Sequence, residues 1–240
     1  MDQNIFLRMN TGAHTSAMGG FLVTSDRSQL VSMSIDKTIR VWDPISQRGV
    51  RQFRGRIGQG NDGGLSDIAL TPNDQYLLSA VRSDKDDGFN LRIFDFKSGE
   101  LVKTLGVWAA IGIHFSADQR FMLITDYYNK RTEIYDYHKF LETLELDNSA
   151  PLHTIDFSDL LGNPRPLCFF QVGESYRLLV ALEEFGKNEH SLLLVEFDAA
   201  LTDIKRLEHI ETPNQLVEFA AENGQHIVTS SNTRQVVVRD

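Results

Sequence analysis

His14, Ser34 and Asp36 are the residue types of a nucleophilic triad: a hydroxyl, an imidazole to take its proton, and a carboxylate to orient the imidazole. Gly58, Gly60 and Gly63, within GRIGQGNDGG (55–64), match the GxGxxG of a dinucleotide-binding turn. That turn needs a strand before it and a helix after it. The next residues here, LSDIALTP, read as a strand, so the glycines read as a long connection whose positive φ values they permit. RSDKDDGFN (82–90) is acidic enough to suggest calcium, but it lacks the D-x-D-x-D-G-x5-E order and reads as a solvated loop, as does its counterpart EEFGKNEH (183–190). His114, His153 and His190 are scattered without metal spacing, and Cys168 is the only cysteine, so no internal disulfide is possible and no metal or other cofactor is expected.

The chain that must position these residues has 240 residues, 41% hydrophobic and 24% charged, a composition ordinary for a globular protein with a real core. No apolar run approaches the ~18 residues of a membrane span. MDQNIFLRMN has no secretory pattern, and a cytoplasmic location is the expectation. The net charge of −9 argues against nonspecific nucleic-acid binding. Charge is uneven: the first 60 residues carry +4 and the rest −13. Arg48, Arg51, Arg54 and Arg56 crowd one stretch, which reads as solvated strand edge and loop.

A short pattern recurs along the chain. IRVWD (39–43), LRIFD (91–95), TEIYD (132–136), LLVEFD (193–198) and VVVRD (236–240) share apolar residues followed by a final Asp. The slot before the Asp holds Trp42, Phe94, Tyr135, Phe197 and Arg239, at intervals of 52, 41, 62 and 42 residues. Upstream of each copy, two apolar stretches flank a turn rich in Ser, Pro, Asn and Asp, as in IALTPNDQYLLSAV (68–81). Downstream of it lies a further short strand, as in ELVKTL (100–105). Each unit is thus four short antiparallel strands, apolar on both faces. Such a sheet cannot bury itself, and packing copies radially gives an all-β propeller. The one helix candidate is HKFLETLEL (138–146), in a long connection and expected at the surface.

These units resemble WD repeats, best in the first, where Ala13-His14 stands for Gly-His and Trp42-Asp43 closes the unit. The resemblance implies that His14, Ser34, Asp36 and Trp42 form a buried hydrogen-bonded tetrad, a structural role in place of the triad. It also implies one propeller domain over 1–240, with blade units at 11–54, 64–105, 107–141, 164–208 and 213–240 and an N-terminal strand at 4–10. About five blades result, either a closed five-bladed ring or part of a seven-bladed one, the second being the expectation. TGAHT (11–15) and RGRIGQGNDGGLSDIALTPND (54–74) are similar to the start of bacterial WD-repeat propellers fused to a caspase-like peptidase.

The function expected is that of a non-enzymatic scaffold or sensor for a protein or peptide partner. The alternative is the regulatory N-terminal propeller of a peptidase encoded downstream. Trp108, Tyr127, Tyr128, Arg82 and Lys85 are expected on one rim, as aromatic and arginine binding anchors. A channel enzyme needs acidic residues on the innermost strands, and these read FLVT, IALT and IHFS.

Overall fold

In a computed structural model, the described residues are 12–54, 60, 62–83, 88–107, 110–116, 118–146, 151–183, 190–212, 217–222, 227–231 and 236–239. Their strands form four antiparallel sheets of four strands and one of three. The first sheet holds β1 (Met18–Val23), β2 (Leu30–Ser34), β3 (Ile39–Asp43) and β4 (Arg48–Phe53). The second holds β5 (Leu65–Leu70), β6 (Tyr76–Ser83), β7 (Gly88–Asp95) and β8 (Leu101–Val107). The third holds β9 (Ala110–Phe115), β10 (Phe121–Asp126), β11 (Arg131–Asp136) and, after helix α1 (Tyr137–Thr143), β12 (His153–Asp156). The fourth holds β13 (Asn163–Val172), β14 (Ser175–Glu183), β15 (His190–Asp198) and β16 (Ile204–Thr212). The last is β17 (Val217–Glu222), β18 (Ile227–Ser231) and β19 (Val236–Arg239). First strands of successive sheets lie side by side: β1 on β5, β5 on β9, β9 on β13, β13 on β17. This is the arrangement of an all-β propeller with four-stranded antiparallel blades. Four blades are complete, where the repeat suggested about five. The last sheet has three described strands, and the strand expected at 4–10 lies outside the described residues.

The doubly apolar strands have a simple cause: successive side chains serve different neighbours. On β10, Phe121 and Leu123 pack with Tyr176, Leu178 and Val180 of the fourth sheet. Met122 and Ile124 pack with Leu78, Ala80 and Leu91 of the second. On β6, Leu77 joins Val31, Val41 and Phe53 of the first sheet, while Leu78 faces the third. Aromatic rings lock the seams. Phe121 meets Tyr176 edge-on at 5.0 Å, and Phe53 meets Phe94 at 5.4 Å. Full burial of one such side chain is worth ~1.5–3 kcal/mol.

The recurring Asp also has a mechanism. Asp43 Oδ1 accepts from the backbone N–H of Ile45, Asp95 Oδ1 from that of Ser98, and Asp198 Oδ1 from that of Thr202, each closing the turn into the fourth strand. Asp136 makes the same bond to Lys139 N at 3.0 Å, yet there it is the N-cap of α1. The helix is shorter than the 138–146 expected, ending at Leu144 in the left-handed conformation (φ 49°). It is also not merely superficial, because Tyr137 and Phe140 are buried. Among the crowded arginines, Arg51 joins two blades: its Nη1 donates to the Phe96 carbonyl and its guanidinium lies 5.7 Å from the Phe96 ring centre. Arg48 and Arg54 are exposed, and Arg56 lies outside the described residues.

The third and fourth blades approach closely at Gly112. A Cβ there would sit 2.1 Å from Pro166 Cγ and 2.9 Å from its Cδ. The proline ring is rigid, so Gly112→Ala must push β9 from β13. A loss of ~1–3 kcal/mol is expected in a urea melt, against no more than a few tenths for Gly106→Ala, where the space is open.

Candidate functional site

Three places concentrate polar and aromatic side chains: a network in the first blade, one rim, and the channel along the first strands. In the network, His14 Nδ1 lies 3.2 Å from Asp36 Oδ2, and His14 Nε2 lies 2.8 Å from Ser32 Oγ. Trp42 Nε1 donates to the same Ser32 Oγ at 2.7 Å. The serine in this network is therefore Ser32, not Ser34. Register explains the correction. Trp42 stands opposite Leu30, and Ser32 opposite Arg40, so the indole reaches diagonally to Ser32. Ser34 lies two residues further along the strand. Its hydroxyl instead donates to Ser16 O at 3.2 Å and accepts from Asp36 N at 3.1 Å.

Burial would raise the Asp36 pKa. The Thr38 hydroxyl, the Thr15 N–H and His14 outweigh it and hold the carboxyl at about 2. An ionised Asp36 fixes the Nδ1–H tautomer of His14, so Ser32 donates to Nε2 and accepts from the indole. Asp36, His14 and Ser32 thus stand in triad order. But Ser32 is only 4% exposed and its oxygen is engaged by Trp42, which supports a structural role.

The rim in question carries the starts of the first strands and the turns joining second to third strands. Tyr127 and Tyr128 sit in the turn after Asp126, which pairs with Ala110 at the start of β9. Asn129 braces this turn through N–H to Asp126 Oδ1 (3.0 Å) and Nδ2 to Oδ2 (2.7 Å). The two rings meet edge-on, 5.5 Å apart. Tyr128 is 62% exposed. Tyr127 is half-buried, and desolvation raises its hydroxyl pKa beside Asn163 and Glu183 of the next blade. Arg82 is exposed at the same rim of the second blade, its backbone held by Gly63 and Gly64. Trp108 and Lys85 lie outside the described residues.

The channel is less apolar than FLVT, IALT and IHFS imply. β5 begins at Leu65 and so brings Asp67 onto the innermost strand. Asp67 Oδ2 accepts from Ile113 N at 2.7 Å, satisfying an edge N–H of β9 from the neighbouring blade. Burial pushes the Asp67 pKa up to about 7, against the pull of Ile113 N–H and the Arg165 charge. Burial lowers His114 to about 4, so it is neutral at pH 7. Arg165 lies near the start of β13 and pairs with Glu183 at 3.2 Å. Among the described residues no three His, Cys, Asp or Glu side chains group as metal ligands, and no helix is long and apolar enough to cross a membrane.

The radial sheets and their shared first-strand axis define a β-propeller. In keeping with this, the chain is similar to a solved chain of Kuenenia stuttgartiensis hydrazine synthase, with a TM-score of 0.59 and 15% sequence identity, covering 93% of this chain and 59% of that one. At that identity the likeness is one of fold. No protein-family model and no curated protein matches the chain.

Proposed function

We propose that this chain is a non-enzymatic, cytoplasmic WD-type propeller that binds a protein or peptide across the rim bearing Arg82, Tyr127 and Tyr128. The observation that carries this reading is the Tyr128 ring, 62% exposed on a turn that Asp126 and Asn129 hold still. A large amphipathic ring presented without loss of freedom is the material of an interface anchor. The His14–Ser32–Trp42 network supports the WD-type assignment, since that resemblance implies such a tetrad. The alternative, a regulatory propeller of a caspase-like peptidase, draws on residues 11–15 and 54–74 alone.

The test is affinity capture with folded wild type as bait, followed by titration of the captured partner. Tyr128→Ala with Arg82→Ala is expected to weaken binding about 30-fold, the scale of one interface anchor, with an unchanged melting temperature. Unchanged affinity in that folded double variant removes this rim from consideration.

A further inference from the structure

The channel bounded by β1, β5, β9 and β13 has a volume of ≈ 1100 Å³, room for a compact organic molecule. Its lining is sorted by chemistry. Leu22, Phe115 and Phe169 supply an apolar wall. Arg165 is the only Lys or Arg among the described lining residues, and Asp67 the only acid. Glu183 engages one of the five N–H groups of Arg165. Asp67 uses Oδ2 to hold Ile113 N–H. The imidazole of His114, the next residue on β9, has no hydrogen bond or ion pair among the described residues and lines the same space. A guanidinium and an unengaged imidazole beside aromatic walls suit an anion on an apolar body, because burying a carboxylate requires charge-assisted donors.

We propose that this channel binds a small amphipathic carboxylate, its anion against Arg165 and His114 and its apolar body between Phe115, Phe169 and Leu22. The proposal does not rest on the rim reading for the protein partner and stands or falls without it. The probe is 4-benzoylbenzoate, an aromatic carboxylate that cross-links on illumination, with its primary amide and with 4-benzoylbenzylamine for comparison. Calorimetric titration is expected to show the acid binding about tenfold tighter than the amide, the scale of one charge-assisted contact. Illumination is expected to label peptides of β1, β5, β9 or β13, and equally so in the Tyr128→Ala variant. Arg165→Met is expected to abolish the acid's advantage. If that variant fails to melt cooperatively, the acid-to-amide ratio and the labelled positions in wild type decide. Equal affinity for acid and amide, tighter binding of the amine, or labelling only elsewhere overturns the proposal.

Discussion

Ser32→Ala is expected to cost ~3 kcal/mol of folding stability, and Ser34→Ala only ~1 kcal/mol. The difference comes from what each hydroxyl leaves behind. Without Ser32, the Trp42 N–H at 2.7 Å loses its acceptor and His14 Nε2 at 2.8 Å loses its donor, both within a nearly closed site. Each stranded buried group costs ~1–3 kcal/mol. Ser34 is as buried as Ser32, but the groups it leaves behind are the backbone carbonyl of exposed Ser16 and the backbone N–H of half-buried Asp36, which water can reach. Urea denaturation followed by Trp fluorescence measures both. A double-mutant cycle with His14→Ala adds a check, since residues acting through one network must show less than additive losses. If Ser34→Ala proves the costlier change, the network as described is wrong.

The second large effect is a pair of opposed pH dependences in the channel. Asp67 has a folded pKa near 7 against an ordinary 3.8. The folded protein therefore holds this proton more tightly, and the associated stability is fully present below pH 3.8 and lost as pH rises through 7. His114 is the reverse. Its folded pKa is near 4 against an ordinary 6.5, so its contribution is present above pH 6.5 and lost as pH falls towards 4. Between pH 4 and 6.5 the two slopes, each at most ~1.4 kcal/mol per pH unit, oppose one another. Wild type is expected to be nearly flat there and to weaken between about pH 6.5 and 7.5.

Asp67→Asn keeps an acceptor for Ile113 N–H and removes one slope, so this variant is expected to gain stability from about pH 4 to 6.5. His114→Leu removes the other, and that variant is expected to lose stability steadily from about pH 4 to 7. Denaturant midpoints across this pH range separate the three curves, and identical curves would show that neither side chain is held as described. Below about pH 4 a third group takes over. Asp36, held near 2, contributes stability that is lost as pH falls from about 4 to 2.

The blade repeat is readable in the sequence because its turns are local chemistry. An Asp that caps the next backbone N–H needs no distant partner, so IRVWD, LRIFD, TEIYD and LLVEFD keep it while the residue before it changes. The doubly apolar strands likewise come from the inner sheets each having a neighbour on both faces. Features that depend on register are not readable in this way. Ser32 and Ser34 share a face and a type, and only the pairing of Trp42 with Leu30 tells them apart. Asp67 is hidden for a related reason. The innermost strand starts at Leu65, and a polar residue near a strand start looks like loop unless its partner is known, here an N–H 46 residues away on the next blade. The rim is partly legible, in that Tyr127 and Tyr128 do meet on one turn.

Asp136 shows how such a propeller can acquire extra material. The carboxylate that elsewhere starts a hairpin here starts a helix, and sixteen residues intervene before the sheet resumes with its outermost strand at His153. Pairing of β11 with β12 is undisturbed by the detour. The periphery of each four-stranded blade therefore has a built-in splice point, where a foreign peptide tag or small module grafted after the aspartate should leave the central seams as they are.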